Sequence, residues 1–151
     1  MKYLFLVSIA FLPMVVSAQT GTKKTTVPAQ KTVFSTTWGN FRSATAPASF
    51  LKALIDSALR VSDNKGNKYE VESFEFTYRQ KDEFTNDETG KREVLFRTVQ
   101  HKAEGPLLPE LWRNTIREKL KKDETLWFEK IIIKNKEGKR FLAPSLEIKV
   151  Q

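Results

Sequence analysis

Hydrophobic positions change their period several times along this chain, and each change marks an element. Thr32 to Trp38 is β-branched and aromatic, which predicts a strand stopped by Gly39 and Asn40. After Pro47 the apolar residues Phe50, Leu51, Leu54, Ile55, Ala58 and Leu59 recur at helical spacing, so a helix is expected from Pro47, at its first position, to about Val61. Ser62 to Asn67 is turn chemistry. Lys68 to Gln80 then alternates as a long strand whose parity switches between Val71 and Phe74, the mark of one extra residue and hence a β-bulge. Lys81 to Arg92 is polar and predicts a hairpin loop. Glu93 to His101 returns as a strand, ended by Gly105 and Pro106.

A second helix is expected from Pro109 to about Lys122, with Leu111, Trp112, Ile116 and Leu120 on its buried side and Glu118 and Lys122 as an i,i+4 pair. Leu126 to Ile133 is strongly β-forming. Asn135 to Gly138 is a turn, and Lys139 to Leu142 and Leu146 to Val150 are the last strands. The order β-α-β-β-α-β-β-β with its hairpins implies an α+β fold. Two arrangements satisfy it: a mostly antiparallel sheet, or an immunoglobulin-like sandwich variant, carrying two short helices. The aromatics Trp38, Phe74, Phe76, Tyr78, Phe96, Trp112, Trp127 and Phe128 are expected in the core. Trp112 lies one turn from Ile116, and Trp127 shares strand parity with Ile131 and Ile133.

The first 18 residues break this picture. Lys2 precedes an apolar run from Tyr3 to Val16, and Val16-Ser17-Ala18 places small residues at a cleavage site. The run is short for a membrane span, which needs about 20 apolar residues. It predicts a signal peptide cleaved after Ala18, and no transmembrane segment once it is removed. Gln19 to Lys31, rich in Thr, Lys and Gln, reads as a flexible leader, and residues 32–151 as a single domain. The 151 residues include no Cys, which excludes a lipoprotein anchor, disulfides and thiolate metal sites. A cysteine-free exported domain of this size fits a bacterial periplasm, or secretion from it.

Candidate chemistry is sparse. Ser49-Phe50-Leu51-Lys52 matches S-x-x-K but lacks the companion S-D-N and K-T-G elements, and Ser49 reads as a first-turn helix residue. Asp63 to Asn67 is similar to a calcium loop, yet Lys65 occupies the third position and Gly66 comes too early, so a turn is expected. His101, the one histidine, has no partner implied by spacing. The acidic pairs Asp82-Glu83 and Asp87-Glu88 fall in the expected loop, where water exclusion is absent. The reading is therefore not an enzyme, with no catalytic residue, cofactor or metal site, and no nucleic-acid partner.

Charge adds more. The net charge is +8, in blocks: residues 61–90 hold four Lys/Arg against eight Asp/Glu, and residues 91–151 hold fifteen against nine. An acidic middle between basic ends suits a binding module, pairing with itself or with an anionic partner. Lys119, Lys121 and Lys122 close the second helix, and Lys134, Lys136, Lys139 and Arg140 surround the following turn. These seven are the candidate partner-binding residues, expected at neighbouring edges of the domain.

The last third carries a recognisable series. Ala103 to Leu111 leads into a helix, followed by Leu126-Trp127-Phe128-Glu129-Lys130-Ile131, the turn Asn135 to Arg140, and Pro144-Ser145-Leu146-Glu147-Ile148-Lys149-Val150. With Val71, Ser73, Phe74 and Phe76 before it, residues 45–151 resemble the C-terminal domain of the gliding-motility protein GldM and its relative PorM. That resemblance implies a periplasmic, non-catalytic domain of a Bacteroidetes-type bacterium that docks to envelope components of the type IX secretion or gliding machinery. The signal-like segment stands where that family has its membrane anchor. The expected function is thus a periplasmic or secreted protein-interaction module with envelope proteins as partners, self-association included. The alternative is a binder of anionic envelope polymer such as lipopolysaccharide, working through the seven cations.

Overall fold

A computed structural model, which describes residues 32–151, has ten elements where the patterns predict eight. They are β1 (Phe34–Trp38), β2 (Thr45–Ala46), α1 (Ala48–Leu54), β3 (Leu59–Asp63), β4 (Lys68–Thr85), β5 (Arg92–Glu104), α2 (Glu110–Lys119), β6 (Thr125–Lys134), β7 (Arg140–Ala143) and β8 (Leu146–Val150). The signal-like segment 1–18 and the leader 19–31 lie outside the described residues.

β4 is the spine. One of its edges takes β3 at Lys68 and Tyr69 and then β5 from Ser73 to Thr85; the other takes β6 from Glu70 to Arg79, all antiparallel. The far edge of β6 is shared end to end by β8 and β7, β1 continues the sheet from β3, and β2 joins β8 in parallel. The result is one curled, mostly antiparallel eight-stranded sheet in the order β1-β3-β4-β6-β8-β2, with β5 and β7 branching off β4 and β6. Its curl brings β1 against β7: the Thr36 hydroxyl donates to the Pro144 carbonyl at 2.7 Å, and the Phe34 and Phe141 rings lie 5.5 Å apart. The α+β class with two short helices holds. Of the two arrangements left open, the molecule adopts the single sheet.

The inner face of that sheet is the core. Phe128 stacks at 5.1–5.7 Å on Trp38, Phe74 and Phe76, and Leu51, Ile55 and Ile116 reach the same interior from the helical segments. Each helix has its proline in the cap position, one residue ahead of the first turn.

Several boundaries differ from the sequence reading. The first helix stops at Leu54 and Leu59–Asp63 is a strand, so the order gains β3; ahead of the helix it also gains the short β2. Leu59 and Val61 suit a helix and a strand equally; tertiary hydrogen bonds decide. The Trp38 indole N–H donates to the Ser57 carbonyl at 2.9 Å, and the Gly39 N–H to that of Ala58 at 2.8 Å. Gly39 is left-handed, φ 57°, and a Cβ there would sit 3.1 Å from Leu54 and Ser57, so glycine makes this approach without strain. The hairpin loop shrinks to Asn86–Lys91 because β4 and β5 both run further than their apolar alternation. α2 ends at Lys119, where Leu120 turns extended, so Lys122 is not helical and no i,i+4 pair with Glu118 forms; Leu111 is exposed.

Two bulges settle the parity of the central strands. β4 carries an extra residue at Glu72, as its apolar pattern predicts. β6 carries a compensating one beside Lys130, whose φ is 46°, so the register on either side is the same. This second bulge moves Ile131 and Ile133 onto the face of Leu126 and Phe128. Trp127 is left half-buried on the outer face, a correction to its expected place in the core. Trp112 is half-buried too, its ring 5.8 Å from Phe76 at the rim of the core.

Candidate interaction surface

The β4–β6 ladder ends at the Arg79–Thr125 pair, but β4 continues for six residues with only β5 beside it. Gln80–Thr85 and Arg92–Arg97 therefore form a two-stranded arm beyond the curled sheet. Strand pairing goes on along it without a third strand beside β4. Phe84, Val94 and Leu95 are 48–57% exposed, and Phe96, expected in the core, lies on the outer face under the Arg79 guanidinium at 4.0 Å.

The outer edge of β5 is open along its whole length among the described residues. At the tip the Asn86 N–H donates to the Lys91 carbonyl, and at the base the Gly105 N–H to that of Glu72. With the β4–β5 register, these two bonds fix which backbone groups face inward. Arg92, Val94, Phe96, Thr98, Gln100, Lys102 and Glu104 present their N–H and C=O groups to the open side. The tip is well made: Asn86 Oδ1 accepts from the Glu88 and Thr89 N–H groups, Asn86 Nδ2 donates to Glu93, and Gly90 takes φ 65°.

A buried carboxylate fastens the arm at its root. Glu124 accepts from the Tyr78 hydroxyl, the Lys81 N–H and the Lys121 N–H, and Lys81 Nζ reaches Asp123 at 3.4 Å. Burial, and then the Glu124 partner, push the Tyr78 phenol well above the usual tyrosine range. Glu124 carries no sequence signal: it reads as one more acid in a charged stretch.

The seven candidate cations do not form one patch. Lys119, Lys121 and Lys122 stand where α2 gives way to β6, beside the root of the arm. Lys134, Lys136, Lys139 and Arg140 lie at the other end of β6, about 30 Å away for a ten-residue strand. Of this second group, Lys134 pairs with Glu70 at 3.0 Å and Arg140 with Glu72. The Arg140 guanidinium holds the Glu72 carboxyl below its ordinary range. Lys130 meets Glu75 at 2.8 Å and Arg97 meets Asp82 at 3.1 Å. The acidic and basic blocks of the sequence are thus neighbouring strands of one ladder, and much of their charge is matched internally.

The remaining candidates have structural work. Asp63 accepts from the backbone of Lys65 and Asn67 and from the side chains of Asn67 and Tyr69. The Asn67 amide first among these holds its carboxyl below the usual range. Ser49 is exposed in the first turn of α1, and Lys52 reaches the Glu118 carbonyl at 3.5 Å. His101 is exposed, its ring 6.2 Å from that of Trp112. No grouping of metal-ligating side chains occurs among the described residues, and no helix among them is long and apolar enough to cross a membrane. No protein-family model matches the chain, and no curated protein matches it.

Proposed function

We propose that the protein is an exported, non-catalytic interaction module that docks to envelope proteins through the β4–β5 arm, in the manner implied by its resemblance to the GldM C-terminal domain. The observation that carries this reading is the arm: a rigidly rooted hairpin with exposed Phe84, Val94 and Leu95 and an open edge. Apolar side chains presented on a ladder fixed by a buried carboxylate suit binding. The motif series behind the resemblance supports it further, since α2, the Phe128–Ile131 stretch of β6, the turn at Asn135–Gly138 and the closing strand β8 follow in that order.

The polymer-binding alternative draws less support, because the seven cations are split between two ends and Lys134 and Arg140 are already paired. Cell fractionation tests the proposal. The expected product begins at Gln19, is found in the periplasm or medium, and co-sediments with envelope proteins in a complex that Leu95→Arg disperses. A chain that keeps Met1 and stays in the cytoplasm would overturn it.

A further inference from the structure

We propose that the first occupant of the β5 edge is a second copy of this chain, paired antiparallel about a two-fold axis through Leu95. This deepens the docking reading and rests on it only in using the same arm.

The edge is complementary to itself in one register. With the axis at Leu95, that side chain meets its own counterpart, and Val94 of each copy faces Phe96 of the other. Glu93 faces Arg97 and Arg92 faces Thr98. Other axes do worse. An axis at Val94 sets Lys91 against Arg97, one at Phe96 loses both ion pairs, and one at Arg97 opposes two guanidinium groups. An axis at Thr98 gains Arg92 against Glu104 but places Leu95 on His101 and Val94 on Lys102, so its apolar pairs are lost. Like charges directly opposite are unfavourable, and opposite charges or apolar pairs favourable.

The backbone agrees with this register. Arg92, Val94, Phe96 and Thr98 point their N–H and C=O groups outward, so 92 with 98 and 94 with 96 form the hydrogen-bonded pairs. Leu95 then falls at a non-hydrogen-bonded pair, where opposite Cα atoms approach to about 4.5 Å and side chains are closest. Arg97 is 61% exposed beside Asp82 on the Leu95 face, ready to accept a second carboxylate, and Asn86 Nδ2 holds Glu93 at 2.8 Å. Pairing consumes the open edge of both copies and therefore closes at two rather than growing. The overlap from Lys91 to Val99 is far smaller than a standard interface of about 1,600 Å², so a dissociation constant in the micromolar range is expected.

The test uses the purified mature protein and its lack of cysteine. Sedimentation equilibrium should show a reversible monomer–dimer equilibrium. Leu95→Cys should form a disulfide-linked dimer on mild oxidation, whereas Thr98→Cys, whose counterpart is Arg92, should not. Glu93→Arg and Arg97→Glu should each weaken the dimer by about tenfold, and the double swap should restore it. All four positions are exposed, and a thermal melt checks that each variant folds. A monomer at every concentration, equal cross-linking at both positions, or no rescue by the double swap would each overturn the proposal. If the purified protein is monomeric while the arm-dependent envelope complex persists in cells, the second copy is excluded and the docking reading stands. If export fails instead, the docking reading falls and the dimer measurement is unaffected.

Discussion

β4 and β5 are continuous strands, yet their two halves live in different surroundings. From Ser73 to Arg79, β4 has β6 on its second edge, and Phe74, Phe76 and Tyr78 are almost wholly buried. From Gln80 to Thr85 the strand runs on with polar residues at every position but Phe84; β6 has ended there, and Phe84 is half-exposed. The residues change at that border, from the aromatics Phe74, Phe76 and Tyr78 to Gln80 and Asp82 on the same face. The border is set by where a third strand begins, at Thr125, and by the Glu124 carboxylate that fastens the root. Apolar alternation on β4 thus follows the part of the strand that β6 flanks, while the rest of the strand is held by its pairing with β5.

The largest test of this contrast truncates one side chain beside the buried half and one on the arm. Phe128→Ala, opposite the buried half of β4, should cost about 3–5 kcal/mol in chemical denaturation. Leu95→Ala on the arm should change stability by no more than about 0.5 kcal/mol at concentrations where the protein is monomeric. Next, Glu124→Ala should cost about 2–4 kcal/mol, because it leaves the Tyr78 hydroxyl and the Lys81 and Lys121 amides unpaired at the border itself. Proteolysis of the arm should accelerate in that variant if the tie is what stiffens it.

The pH dependence sharpens the same border. The folded state holds the Tyr78 proton more tightly than the unfolded chain does, so its contribution is complete below about pH 10, the ordinary tyrosine value. It is lost as pH rises above that, with a slope of about 1.4 kcal/mol per pH unit for one linked proton. Tyr78→Phe should flatten this alkaline limb, and an unchanged limb would place the titrating group elsewhere. The smallest effect belongs to Trp127. Half-buried on the outer face, it should cost about 1–2 kcal/mol on truncation to Ala, well below Phe128 on the inner face. Equal costs would contradict the second bulge.

Much of the fold was legible in residue pattern. Helices, hairpins and the first bulge follow from spacing, because alternation and helical period are local. What escaped was decided at a distance. Leu59 and Val61 fit either period until Trp38 and Gly39 bind the backbone at Ser57 and Ala58. In β6 the apolar parity does switch between Phe128 and Ile131, so the second bulge left a signal in the residues themselves. The surface was less legible. The acidic and basic blocks were visible, but strand pairing matches Glu70, Glu72 and Glu75 with Lys134, Arg140 and Lys130, and β6 sets the two lysine groups at opposite ends. The β4 half of the arm falls in the stretch expected as a polar loop, since Phe84 is a single apolar residue among charges, whereas Glu93 to Arg97 falls in an expected strand.

Amide hydrogen exchange along β5, measured at two protein concentrations, tests the claim that the arm is a binding edge most directly. The outward amides of Val94, Phe96 and Thr98 should exchange quickly in dilute solution and become protected in concentrated solution. Those of Leu95, Arg97 and Val99, bonded to β4, should hold the same protection in both. Outward amides already protected in the most dilute sample, or still unprotected in the most concentrated one, would contradict the account.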